Sequence, residues 1–216
     1  MLTGILDDRF QLGVFVRVLS EIMVAIAVIE LLDLRVAYLG DIFNFGVIKI
    51  NPILAYPFTV VAIFGIINAF NMLDGMDGLL GSLVITTLIM FHLFTGTVPG
   101  FVSLAIGAAL LAFLVSNLNL SPIIPKTFLG DAGSKLLGFI VVCLLLAAAS
   151  AQVGQSKLIQ PVTALFIVAL PLYDMVFTSL RRIIRKGSPF AADRSHIHHL
   201  MQDLGFSDRR LSLIHI

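Results

Sequence analysis

The segment Asn68-Ala69-Phe70-Asn71-Met72-Leu73-Asp74-Gly75-Met76-Asp77-Gly78 carries an oxygen-bearing side chain at every third position from Asn68 to Asp77. Steps of three on a helix rotate about 300°, so neighbours in such a series sit close together. Gly75 and Gly78 would open the helix end and let backbone groups approach a ligand. Amide and carboxylate oxygens are the donors that Mg²⁺ accepts. A helix C-terminus with solvated acids accounts for one or two such residues, but not for four in register beside two glycines.

Three further groups of residues invite chemistry. Phe128-Leu129-Gly130-Asp131-Ala132-Gly133-Ser134 reads as a turn opening a helix. Asp131 there could hold a cation while N–H groups, a hydroxyl and the helix dipole receive phosphate oxygens; the plainer alternative makes Asp131 or Ser134 an N-cap. Asp7-Asp8 is either a catalytic acid pair or two solvated charges at a helix start. Arg194-Ser195-His196-Ile197-His198-His199 gathers three histidines in a basic segment with Arg181, Arg182, Arg185 and Lys186. A transition-metal site would want Cys or a companion carboxylate motif, so anion binding is the more economical use. His92 and His215 are isolated and read as structural. Asp174 follows Pro171 inside an apolar run, where burial is costly, and is left open between a structural and a functional role.

The elements that must position these residues are set by composition. The 216 residues are 58% hydrophobic and 12% charged, with mean hydropathy +1.03; a soluble domain holds about 25% charged residues. The bilayer is therefore the natural solvent. A net charge of +1, with no basic stripe interleaved with aromatics, gives no case for nucleic-acid binding. The single cysteine, Cys143, excludes an intramolecular disulfide and a Cys-based zinc site.

A spanning helix needs about 20 mainly apolar residues. Six stretches qualify: Val14–Leu32, Pro52–Asn71, Leu79–Thr95, Phe101–Leu118, Lys135–Ala151 and Pro161–Leu180. The first is interrupted by Arg17, Glu21 and Glu30, of which Arg17 and Glu21 can pair along one face. Segment 33–51, with Gly40 and Gly46, reads as a short hairpin or an interfacial loop. Alternating the sides places all four polar motifs on one face. That face holds ten basic residues (Arg9, Lys126, Lys135, Arg181, Arg182, Arg185, Lys186, Arg194, Arg209, Arg210) against three (Arg35, Lys49, Lys157) on the other. The positive-inside rule then makes it cytoplasmic. The expected architecture is all-α: one partial membrane domain over residues 1–216, a polytopic transmembrane bundle of about six spans, with a cytoplasmic basic and histidine loop at 181–210. The two ends, near Asp7-Asp8 and at an apolar start in Leu211–Ile216, suggest a fragment of a longer protein.

Taken together, LDDRF (6–10), NAFNMLDGMDGL (68–79), FLGDAGS (128–134) and DRSHIHHLMQDLGFS (193–207) resemble the polyprenyl-phosphate N-acetylhexosamine-1-phosphate transferase family, of the glycosyltransferase 4 type. The resemblance covers essentially the whole chain. It implies transfer of N-acetylglucosamine-1-phosphate, or a related N-acetylhexosamine-1-phosphate, from a UDP-sugar to undecaprenyl phosphate. UMP would be released, in the first membrane step of a bacterial cell-envelope polysaccharide. A phospho-N-acetylmuramoyl-pentapeptide donor is a weaker match. The resemblance implies that Asn71 and Asp131 hold Mg²⁺, with Mn²⁺ as a substitute. It makes four acids catalytic: Asp74 and Asp77 against the nucleotide-sugar and behind the direct ligands of the metal, and Asp7 and Asp8 at the lipid phosphate, with one of that pair a candidate base. Asn68, Arg194, His196, His198 and His199 would bind substrate. The partners expected are a UDP-N-acetylhexosamine, a polyprenyl phosphate, the inner or plasma membrane, and a second copy of the chain as a homodimer. Family members have about ten or eleven spans, so the shorter chain is expected to be weakly active or inactive. A different class, a cation transporter component, would hold its acids near the bilayer midplane on broken helices; acids gathered at one face favour surface chemistry.

Overall fold

Residues 4, 9–10, 13–41, 45–150 and 159–185 are described by the structure, a computed structural model. Among them the chain is all-α apart from one two-stranded hairpin. Helix α1 spans Val14–Leu32 and α2 spans Pro52–Leu73. Helices α3 (Leu79–Thr95) and α4 (Phe101–Asn117) follow, then α5 (Gly130–Ala149), α6 (Pro161–Ile167) and α7 (Ala169–Ile184).

Local chemistry sets the boundaries. Asn51 caps α2 by accepting the Ile53 N–H at 2.9 Å, and Pro52 fills a first-turn position that has no use for an N–H. Helix α3 lies between two left-handed glycines, Gly78 at φ +77° and Gly96 at φ +65°. The sixth apolar stretch does not form one helix. It breaks at Val168 with an 80° bend between α6 and α7. Pro171 is the physical cause, since it lacks the N–H that the Ile167 carbonyl needs and its ring crowds that carbonyl.

Helix α2 is the central element, packed against α1, α5 and α7, while α3 packs on α4 and α5. Ile63, Ile67 and Phe70 of α2 meet Val141, Val142 and Leu145 of α5 and Val28 and Ile29 of α1 in the main core. Gly138 allows a close approach of α2 and α5. A Cβ there would lie 3.0 Å from the Ile67 Cα and 3.1 Å from the Phe70 Cβ. Helix pairs inside a bilayer use small residues for this purpose, because lipid offers no hydrophobic drive for helix association. The outside is apolar, with Phe15, Ile53, Phe101, Phe177 and Ile184 exposed.

By length and composition α2 and α5 can each cross a membrane, and α6 with α7 makes a third span if the bent pair counts as one. That is fewer than the six expected. Helix α1 carries three charged residues, Arg17, Glu21 and Glu30. Helices α3 and α4 have 17 residues each, or about 25 Å at 1.5 Å per residue, short of a hydrocarbon core of about 30 Å.

Segment 33–51 holds both strands of the hairpin. Strand β1 (Tyr38–Gly40) pairs antiparallel with β2 (Ile48–Lys49). It is tied to the far ends of the core helices. The Val36 N–H donates to Thr59 Oγ1 at 3.0 Å, and the Tyr38 hydroxyl donates to the Ala149 carbonyl. Helix α7 extends past the expected end of its span, so Arg181 and Arg182 are helical and Arg182 is buried. Positions 186–210 of the expected loop lie outside the described residues.

Candidate active site

The Asn68–Asp77 series divides between two structures. Asn68 and Asn71 occupy the last turns of α2, Asp74 is its C-cap, and Asp77 lies in the turn leading to α3. The Asp74 N–H reaches the Asn71 carbonyl at 3.3 Å, and the Gly78 N–H donates to Asn117 Oδ1 at 2.5 Å. Gly78 holds a left-handed φ that an L side chain rarely adopts, so the turn between the helices depends on it.

The FLGDAGS segment forms the start of α5 itself: the helix begins at Gly130 and has Asp131 in its first turn. An acid there is favoured by the helix dipole. The Gly138 approach lies one turn below Ser134 on α5, opposite Ile67 one turn below Asn71 on α2, so the two helix ends meet above it. Fully buried Ser134 donates its hydroxyl to Asn71 Oδ1 at 2.6 Å and lies 3.0 Å from the Gly130 carbonyl. Asn71 and the turn bearing Asp131 are thereby brought together.

A second layer braces these ends. The Asn68 amide donates to Glu21 Oε2 at 2.5 Å and to the Phe64 carbonyl at 2.9 Å. Lys135 Nζ lies 3.3 Å from Glu21 Oε1 and 3.7 Å from Asp131 Oδ2. Across the site, Lys126 Nζ pairs with Asp77 Oδ2 at 2.5 Å. The segment carrying Lys126 is held by α4: the Asn117 amide donates to the Thr127 carbonyl at 2.8 Å, and the Ser116 hydroxyl to the Pro125 carbonyl at 2.6 Å.

Of the residues singled out in the sequence, Asn71 meets the turn that bears Asp131 through Ser134, Asp77 faces Lys126, and Asn68 is turned toward Glu21. Asp7, Asp8, Arg194, His196, His198 and His199 lie outside the described residues. Asp174 is buried on the inner face of α7, in line with Thr178 and Arg182. In the sequence Lys126 and Lys135 counted only toward the basic face, Asn117 drew no notice, and Glu21 stood only as a partner for Arg17. Polar residues at the ends of apolar runs were the available signal for Asn117 and Lys135.

Among the described residues no three His, Cys, Asp or Glu gather into a metal cage. Mg²⁺ does not require one, because it is usually held by one or two carboxylates, substrate phosphates and water. The donors present fit that pattern, with an amide oxygen on α2 and a carboxylate on α5 at touching helix ends.

These features define an apolar, helical membrane protein whose hard oxygen donors and flanking lysines collect where two packed helices end. The profile of glycosyl transferase family 4 matches residues 1–149, and the chain belongs to that family. It is 40% identical over 212 residues to the undecaprenyl-phosphate alpha-N-acetylglucosaminyl 1-phosphate transferase of Escherichia coli O157:H7, covering 96% of this chain and 56% of the relative. The Yersinia pestis protein of the same name is 39% identical over 212 residues, 96% of this chain and 57% of the relative. A Bacillus subtilis protein, named as a probable undecaprenyl-phosphate N-acetylglucosaminyl 1-phosphate transferase, is 35% identical over 219 residues, 98% of this chain and 58% of the relative. The chain thus spans a little over half the length of these relatives. Their names point to N-acetylglucosamine and not to a muramoyl-pentapeptide donor.

Proposed function

We propose that this chain carries the catalytic centre of a transferase that moves N-acetylglucosamine-1-phosphate from UDP-N-acetylglucosamine to undecaprenyl phosphate. The observation that carries the reading is the meeting of Asn71 and the Asp131 turn, joined through Ser134 at 2.6 Å, in a chain similar to enzymes named for that reaction. Helices α1, α3 and α4 would add to the spans formed by α2, α5 and the α6–α7 pair. The basic residues favour a site facing the cytoplasm, where a nucleotide-sugar is soluble while the polyprenyl tail stays in lipid.

In the reaction, an oxygen of the lipid phosphate attacks the sugar-bearing phosphorus of UDP-N-acetylglucosamine. A new P–O bond forms, the bond from that phosphorus to the bridging oxygen breaks, and UMP leaves with the electron pair. A phosphate monoester has a second pKa of about 6, so the attacking oxygen is largely ionised at neutral pH. Positioning then matters more than proton removal, and Asp7 and Asp8 serve chiefly to place the lipid phosphate. Asn71 and Asp131 would hold Mg²⁺, which when bound neutralises charge on the diphosphate. Asp74 and Asp77 border the nucleotide-sugar, and Arg194, His196, His198 and His199 clamp its diphosphate. The helix-end location of the acids speaks against a transport site, for which mid-span placement is usual.

UDP-N-acetylglucosamine labelled with ³²P at the sugar-bearing phosphate tests the reaction type. Phosphosugar transfer carries the label into the lipid product. Transfer of the sugar alone would leave it in released UDP and refute the reading.

A further inference from the structure

The Glu21–Lys135 pair is not explained by packing economy. Its side chains are only 10% and 11% exposed, and it ties α1 to the first turns of α5. Burying two charges costs several kcal/mol per ion before their attraction is counted, and neutral side chains of similar size commonly do as well or better. Lys135 also stands one turn after Asp131 on the same helix, with its ammonium 3.7 Å from Asp131 Oδ2. A lysine so close to a cation-binding carboxylate is its natural competitor for the cation. Here the ammonium is nearer to Glu21, at 3.3 Å, and that contact is much the more buried: Asp131 is 38% exposed. Attraction strengthens as solvent is excluded, so the balance favours Glu21. The Asn68 amide, donating to the other Glu21 oxygen at 2.5 Å, fixes the carboxylate in place.

We propose that Glu21 is a positioning residue, which by holding the Lys135 ammonium at 3.3 Å weakens its competition with a divalent cation for the Asp131 carboxylate. The inference rests on the reading of Asn71 and Asp131 as the cation site. It gives Asn68 a role through Glu21, and makes α1 part of the site without touching substrate.

The test is Mn²⁺ binding to the detergent-solubilised full chain, read by the loss of the free-ion paramagnetic resonance signal, with no turnover involved. Thermal unfolding without metal, followed by a thiol-reactive dye on Cys143, is measured alongside. Glu21→Gln keeps an acceptor for Asn68 but leaves the ammonium to Asp131. Outer residues that orient metal ligands typically matter by about 10- to 100-fold in affinity, and a rise in Kd of that size is expected. The double variant Glu21→Gln/Lys135→Met removes the competitor as well and recovers most of the loss. Lys135→Met alone binds Mn²⁺ at least as tightly as the unaltered protein. A Glu21→Gln protein that binds normally, a double variant no better than the single, or a weaker-binding Lys135→Met overturns the proposal. Asp131→Asn separates the two levels. If the unaltered protein fails to bind Mn²⁺, or Asp131→Asn binds as well as it does, the cation-site reading fails and this inference with it. If Asp131→Asn alone loses binding, only the role of Glu21 fails.

Discussion

Substitution of Gly138 tests whether the α2–α5 contact sets the geometry of the site. A Cβ at this position would meet the Ile67 Cα at 3.0 Å, the Phe70 Cβ at 3.1 Å and the Ile67 carbonyl oxygen at 3.3 Å. Non-bonded carbons prefer about 3.5–4.0 Å, so alanine pushes the helices apart by roughly 0.5–1 Å. Two of the three atoms are backbone, which cannot swing aside as a side chain tip would. The Ser134–Asn71 hydrogen bond lies one turn above, about 6 Å along the helix. Starting from 2.6 Å, an opening of that size takes it to about 3.1–3.6 Å, at or beyond the long end of useful hydrogen bonds near 3.2 Å. Overpacking costs about 1–3 kcal/mol of stability. Misplacement of a reacting constellation by about 1 Å costs on the order of 100-fold in rate. Gly138→Ala is therefore expected to lower transfer by about tenfold and Gly138→Val by about 100-fold or more. Transfer is assayed in membranes, with unfolding followed at Cys143. Ser134→Ala, which removes the hydrogen bond without moving the helices, separates the bond from the spacing. A Gly138→Val protein within about twofold of normal activity would show that the helix spacing does not position Asn71 and Asp131.

Other outcomes follow from the contacts around the site. Asn117→Ala strips the partner from the Gly78 N–H and from the Thr127 carbonyl. It is expected to cost about 1–3 kcal/mol, seen as a lower Tm; an unchanged Tm would show that the turn holds itself. Lys126→Ala breaks a pair whose side chains are 40% and 29% exposed. Such pairs contribute about 0–1 kcal/mol, so Tm should stay within about 4 °C, and a larger drop would make the pair a structural anchor. Chelation with EDTA is expected to abolish transfer, with added Mg²⁺ or Mn²⁺ restoring it. Activity that persists in EDTA would remove the metal from the mechanism.

Much of this was legible in the sequence because hydropathy marks helices whose whole surface is apolar. Helices α1 and α3 have the bounds read from their apolar runs, and α2 continues two residues beyond Asn71. The start of α5 lies five residues upstream of Lys135, since Gly130 and Asp131 look like a turn yet supply the first helical residues. The break at Val168 arises from Pro171, whose effect falls on the turn before it, so one apolar stretch became two helices. The expectation that Asn71 and Asp131 share a site came from the resemblance of the motifs to a known family, not from their spacing; the structure joins Asn71 to the Asp131 turn through Ser134. The Glu21–Lys135 contact was hidden for a plainer reason. Arg17 stands one helical turn from Glu21 and offers an obvious local partner, while Lys135 is distant in sequence and arrives only through the packing of α1 and α5 around α2. Hydropathy reports which segments avoid water, and says nothing of which buried charge meets which.

The most direct measurement is formation of undecaprenyl-diphosphate-N-acetylglucosamine from UDP-N-acetylglucosamine and undecaprenyl phosphate, in membranes from cells lacking their own transferase. It is made with the unaltered chain, with Asn71→Ala and with Asp131→Asn, each with and without Mg²⁺. The expected result is a lipid product, weak because the chain spans only 56% of the Escherichia coli relative, that requires the metal and is lost in both variants. Product formed equally well by Asp131→Asn, or formed without a divalent cation, would contradict it.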